Sequence, residues 1–106
     1  MSAYFIDLDG TFFKWGTQEP LPGAVETVQR LEAEGNMIVW TTLRDPQDPA
    51  KGYPQTIRAF RELGIKSEAI IWGCPSPRIV VNDDGAFGVN VEQNGPMTYE
   101  SIARHR

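Results

Sequence analysis

The spacing of the first two apolar runs constrains this chain more than any other feature. Ala3-Tyr4-Phe5-Ile6 and Met37-Ile38-Val39-Trp40 are apolar without polar alternation, the pattern of strands buried on both faces of a parallel sheet. Between them, from Pro22-Gly23 to about Glu34, Val25, Val28 and Leu31 recur at helical spacing, with proline in the first turn and Gly35 as the stop. Strand, helix and strand at this separation make a βαβ unit. Its right-handed crossover sets the two strands parallel.

The same alternation continues. Tyr53 to Leu63 reads as a helix with Ile57, Phe60 and Leu63 on one face and Gly64 as its stop. Ala69-Ile70-Ile71-Trp72 reads as a third strand and Ile79-Val80-Val81 as a fourth; Gly88-Val89-Asn90-Val91 is a short fifth, and Met97 to Arg104 a terminal helix. Thr11 to Pro20 is a small flap whose Phe12, Phe13 and Trp15 either cover a site or pack locally against the first helix. Asp45 to Pro54 and Gly73-Cys74-Pro75-Ser76-Pro77 are loops, rich in proline and, in the first case, aspartate. The expected fold is α/β: a three-layer, Rossmann-like sandwich around a central, mostly parallel sheet, with residues 1–106 forming a single domain.

Composition narrows the function. A net charge of −4 without a basic block does not favour a nucleic-acid groove as partner. The lone cysteine, Cys74, excludes an internal disulfide and a multi-cysteine zinc site, and with a lone histidine, His105, the expectation is against His-centred catalysis. No apolar run reaches the roughly 18 residues of a membrane span, and Asp7 interrupts the first run before it can serve as a signal peptide. The expectation is a soluble cytoplasmic protein without a membrane partner.

Strands of a parallel sheet end on one edge, where ligands bind. Here the first run ends in Asp7 and Asp9, the second in Thr41, Thr42 and Arg44, and the fourth in Asn82, Asp83 and Asp84. Asp7 and Asp9 are two residues apart, so in an extended backbone they project to the same side, and like charges so close call for a cation or a shared proton. Carboxylates without cysteine or histidine are hard oxygen ligands suited to Mg²⁺, which completes its shell with water and phosphate. The implied ligand is phosphorylated.

Asp7-Leu8-Asp9-Gly10-Thr11 after an apolar strand resembles the D-x-D-G-T signature of the haloacid dehalogenase-like hydrolases. Trp40-Thr41-Thr42-Leu43-Arg44 and Pro77-Arg78-Ile79-Val80-Val81-Asn82-Asp83 look like the small, capless members, including the capsule-biosynthesis phosphatase-like branch. The resemblance covers about Ala3 to Val91 and implies one core domain without a cap. It implies that Asp7 attacks phosphorus to form an aspartyl-phosphate, and that Asp9 protonates the leaving oxygen and then deprotonates the hydrolytic water. Asp7, the backbone carbonyl of Asp9, and Asp83 would hold Mg²⁺, with Asp84 the alternative to Asp83. Thr42 matches the hydroxyl residue of the second motif, with Thr41 one residue away as the alternative, and Gly10, Thr11 and Arg44 complete the candidate phosphate contacts.

One departure from the family pattern stands out. Relatives with a G-K-P turn carry lysine where this chain has Gly73-Cys74-Pro75, and Cys74 cannot supply that charge. Arg78 is the nearest substitute along the chain, followed by Arg44 and Lys51.

The expected activity is Mg²⁺-dependent phosphomonoester hydrolysis in an open site; the alternative is a domain that binds metal and phosphorylated ligands without turnover. An open site suits a bulky substrate, such as a sugar-nucleotide precursor, a nucleic-acid end or a protein, or else a cap supplied by homo-oligomerisation. Phe12, Phe13, Trp15 and Tyr53 would line its entrance.

Overall fold

The structure is a computed structural model and describes residues 1–103. Arg104, the last residue of the expected terminal helix, and His105 lie outside the described residues. Along the chain come β1 (Ala3–Asp7), α1 (Ala24–Ala33), β2 (Met37–Thr41), α2 (Tyr53–Glu62), β3 (Ile70–Ile71) and α3 (Tyr99–Ala103). The strands form one all-parallel sheet in the order β1-β2-β3. Asp7 stands opposite Thr41, and Thr41 opposite Ile71, so all three strands finish on one edge.

Both long helices end by the same device. After α1 the N–H of Asn36 donates to the carbonyl of Leu31 and that of Gly35 to Glu32; after α2, Ile65 donates to Phe60 and Gly64 to Arg61. These are Schellman motifs, and Gly35 and Gly64 adopt the left-handed conformation that the motif demands, with φ of 83° and 74°. The buried Asn36 then ties the exit of α1 to the start of β1, its Oδ1 accepting from the N–H of Ser2 at 2.8 Å.

Side chains alternate across a strand, and here the two faces differ sharply. Ile6, Ile38 and Trp40 are buried with Ala24, Val28 and Leu31 of α1 and with Ile57 and Phe60 of α2. On the opposite face Phe5 and Met37 are each 61% exposed and Ile71 is 45% exposed.

An aromatic cluster fixes the helical side. Phe60 stacks on Trp40 with ring centroids 4.7 Å apart, Phe12 meets Trp40 edge-on at 4.9 Å, and Phe13 stacks on Phe60 at 6.0 Å. Phe12 and Phe13 are therefore core residues with no exposed surface, and do not line an entrance. They pack against β2 and α2, through Trp40 and Phe60, whereas Trp15 is 59% exposed.

The expected fourth and fifth strands do not form. Residues 79–81 and 88–91 carry no ladder, and Ile79, Val80 and Val81 are exposed by 79%, 67% and 91%. Only three apolar residues separate the proline-rich turn from Asn82-Asp83-Asp84-Gly85. There, bonds from the Asn82 amide to the Asp84 carbonyl and from the N–H of Gly85 to the Asp84 carboxylate compete with strand pairing. No described helix is long and apolar enough to cross a membrane.

Candidate active site

Buried Leu8 sets the turn that presents the acids. Its carbonyl accepts from the N–H groups of Phe12 at 3.0 Å and Phe13 at 2.9 Å, and its own N–H donates to the carbonyl of Thr41 at 3.1 Å, continuing the pairing beyond β1. Gly10, with φ of 87°, makes the reversal, and a Cβ there would press on Gln93 Cγ at 3.1 Å. Gly10 thus serves backbone shape and packing.

Asp7 closes β1 with two partners. Its Oδ1 accepts from Arg78 Nη1 at 3.0 Å and its Oδ2 from Thr11 Oγ1 at 3.2 Å. Arg78 is anchored in turn by the carbonyl of Cys74, which accepts from Nη2 at 2.7 Å. The turn itself is stitched to the exit of β2: Cys74 N–H donates to Thr42 O at 2.8 Å, and Gly73 N–H to Arg44 O at 3.0 Å. Cys74 thus contributes a backbone carbonyl that places a charge it cannot itself carry. Partial burial pulls the Arg78 pKa down, but the bonds to Cys74 and Asp7 and the charge of Asp7 outweigh it and hold the guanidinium above its ordinary value.

Asp9 has a different guanidinium. Arg44 grips it with both sides of its fork, Nη2 donating to Oδ1 at 2.8 Å and Nε to Oδ2 at 2.9 Å, and the Arg44 side chain is only 5% exposed. Thr42 Oγ1 donates to Asp9 Oδ2 at 3.4 Å and accepts from the N–H of Arg44 at 3.0 Å. Thr41 lies beside Asp7 in the sheet register, and its side chain makes no hydrogen bond among the described residues. The like-charge conflict between the two acids is thus met by two arginines, one for each.

Two expectations need correction. Arg44 was expected to contact phosphate, yet every N–H of its guanidinium is already committed. Beyond Asp9, Nη1 donates to Gln18 Oε1 at 2.6 Å and Thr56 Oγ1 at 3.2 Å, and Nη2 to Thr17 O at 2.9 Å. Asp83 was expected beside Asp7 and Asp9, but among the described residues no three His, Cys, Asp or Glu side chains converge as a metal would require. Asp83 and Asp84 are both exposed, because the strand meant to deliver them does not pair. Lys51 donates its backbone N–H to Asp48 Oδ1 at 2.8 Å, within the loop that leads into α2.

Sequence reasoning missed Gln18, Thr56 and Asn94. Asn94 donates its N–H to Gly10 O at 2.8 Å and accepts from Trp15 N–H at 2.8 Å, clasping the turn that carries the acids. The Asn94-Gly95 dipeptide was a visible turn signal, whereas nothing local marks Gln18 or Thr56 as partners of Arg44.

For Mg²⁺ the fit is partial. The Asp7 carboxylate and the Asp9 carbonyl are hard oxygens at the same strand end, and that carbonyl accepts no hydrogen bond among the described residues. Mg²⁺ commonly takes one or two carboxylates and keeps several waters, so these donors suffice to begin a site.

Comparison of the chain with protein-family models, with curated proteins and with solved structures finds no match.

Proposed function

We propose that this protein is a phosphomonoesterase that works through an aspartyl-phosphate on Asp7 and requires Mg²⁺. The observation that carries this is a carboxylate at a parallel strand end with a guanidinium 3.0 Å from one oxygen and a hydroxyl 3.2 Å from the other. Those are the groups that a nucleophile and a phosphoryl dianion need together.

The Asp7 carboxylate and Asp9 carbonyl would hold the ion, which when bound neutralises phosphoryl charge. Asp7 forms a bond to phosphorus as the ester P–O bond breaks, and the departing oxygen takes a proton from Asp9, which has to leave the Arg44 fork to carry it. Asp9 then takes a proton from water, whose oxygen displaces Asp7 and releases inorganic phosphate. Arg78 stays beside Asp7 throughout, holding it before attack and sharing its charge with the phosphoryl oxygens afterwards. Thr11 and Thr42 orient the two acids through their hydroxyls.

The same proposal extends to the architecture. A three-layer, Rossmann-like sandwich would cover the face that bears Phe5, Met37 and Ile71, and all-parallel sheets occur almost only with both faces covered.

Hydrolysis of an aryl phosphate with and without Mg²⁺ tests the activity, in the wild type and in Asp7→Asn. Metal-dependent phosphate release that vanishes in the variant is expected; equal rates in both would remove Asp7 from the mechanism. A second reading, a domain that binds phosphorylated ligands without turnover, is favoured by the bidentate hold of Arg44 on Asp9. It predicts that Mg²⁺ with a phosphate analogue raises the thermal midpoint while no substrate is hydrolysed.

A further inference from the structure

We propose that Arg44 is a positioning residue that makes the orientation of Asp9 and the position of the flap, residues 14–20, a single mechanical variable. This rests on the phosphohydrolase reading only for its kinetic consequences.

The guanidinium sits at a junction of three segments. Asp9 occupies Nε and one N–H of Nη2. The flap occupies two more donors through Thr17 O and Gln18 Oε1, and Thr56 of α2 takes the last. Its central carbon lies over the ring of the buried Phe13, 5.3 Å from the centroid, so the group is set against the core. A rigid fork with no spare donor cannot turn toward Asp9 without dragging the flap, and the flap cannot lift without unloading the fork.

The flap also carries a reason to move. Gln18 spends its amide oxygen on Arg44, which leaves Nε2 buried with no acceptor among the described residues. A buried donor without a partner costs free energy that is recovered once it meets water or a ligand oxygen. The tie between flap and Arg44 is therefore held against a local penalty in Gln18.

The test is hydrogen–deuterium exchange of the full chain, comparing the wild type with Arg44→Lys, Gln18→Ala and Gln18→Glu. Gln18→Ala cuts only the flap's side-chain tie and keeps the Arg44–Asp9 pair, so it reports even where Arg44→Lys destabilises the fold. The amides of Lys14, Thr17 and Leu21, which donate within the flap and its base, should exchange about tenfold faster in Gln18→Ala. Amides of β1 and β2 should be unchanged, and Gln18→Glu should restore protection because its carboxylate can accept from Arg44. Flap exchange in Gln18→Ala equal to that of the wild type overturns the proposal.

Kinetics add a readout that flap order alone would not move. Gln18→Ala should lower kcat about tenfold with KM within twofold, the split expected when an acid is mispositioned and substrate binding is untouched. An unchanged kcat with loosened flap amides would overturn the link to Asp9. Absence of turnover in the wild type would remove the phosphatase reading, with the exchange result still deciding whether Arg44 ties flap to acid.

Discussion

Arg78 and Asp7 are 71 positions apart in the chain and meet at 3.0 Å. The contact does not arise from a strand beside β1. It is made by a loop whose Gly73 and Cys74 are bonded to the exit of β2, so the charge reaches the acid by way of the neighbouring strand. Arg44 and Asp9 make the second contact of this kind, more deeply buried and bidentate. The two acids are thereby distinguished by their partners: Asp7 has a partly exposed arginine that a ligand can reach, and Asp9 one enclosed by protein.

Replacing Arg78 with alanine should lower kcat/KM for an aryl phosphate by roughly a hundredfold, the usual scale for losing one charge-stabilising donor. Stability should hardly change, because the side chains of the Arg78–Asp7 pair are 27% and 31% exposed and such pairs contribute about 0–1 kcal/mol. Arg78→Lys should recover part of the rate, since an ammonium can face Asp7 but cannot also serve the Cys74 carbonyl in the same fork geometry. Steady-state rates and thermal melts of the three proteins decide the point, and an alanine variant as fast as the wild type would dismiss Arg78 from the site.

Thr41 and Thr42 should separate cleanly when each is changed to valine. Thr42→Val leaves the buried N–H of Arg44 without its acceptor and loosens Asp9, at a cost of about 1–3 kcal/mol. Thr41 makes no comparable side-chain bond among the described residues, so Thr41→Val should stay within about 0.5 kcal/mol of the wild type. Denaturant unfolding measures both; equal losses would mean that the hydroxyl of Thr42 has no special part.

What could be read from the sequence was set by local rules. The apolar runs at Ala3 and Met37, the helical periodicity before Gly35 and Gly64 and the D-x-D turn all depend on neighbours along the chain, and each appears where expected. Ile79-Val80-Val81 looked equally strand-like, but three apolar residues between a proline-rich turn and a self-bonding Asn82–Gly85 turn did not pair. Phe12 and Phe13 were indistinguishable from lid residues because nothing local says that Trp40 and Phe60 will receive them. Arg44 was misjudged for the same reason. Its donors are consumed by Gln18 and Thr56, contacts that only the tertiary fold creates.

Gly52 should be intolerant of any side chain. Its φ of −83° is one that any residue adopts, so the constraint is space: a Cβ would overlap the carbonyl oxygens of Asp48 and Pro46. Both are backbone atoms of the loop that leads into α2, where Tyr53 N–H donates to Pro46 O at 2.7 Å. Gly52→Ala should therefore cost about 1–3 kcal/mol by forcing the loop apart, measured by urea unfolding. A neutral substitution would show that the loop repacks freely.

Asp48 gives that loop a pH dependence of predictable sign. Its carboxylate accepts from the N–H groups of Lys51 and Ala50, each at 2.8 Å, and these bonds hold its pKa below the ordinary value. A depressed folded-state pKa means that the contribution is fully present above the unfolded carboxylate value of about 4 and is lost as pH falls through the folded one. Asp48→Ala should therefore lower the thermal midpoint at pH 7, and its difference from the wild type should shrink steadily below about pH 4. Asp48→Asn keeps an oxygen that can accept the same bonds but cannot titrate, so its gap from Asp48→Ala should be nearly constant with pH. Melting curves at several pH values between 7 and 3 test the pair of statements. A wild-type advantage over Asp48→Ala that grew on acidification would reverse the assigned sign and remove the Asp48 carboxylate as the group that holds the loop.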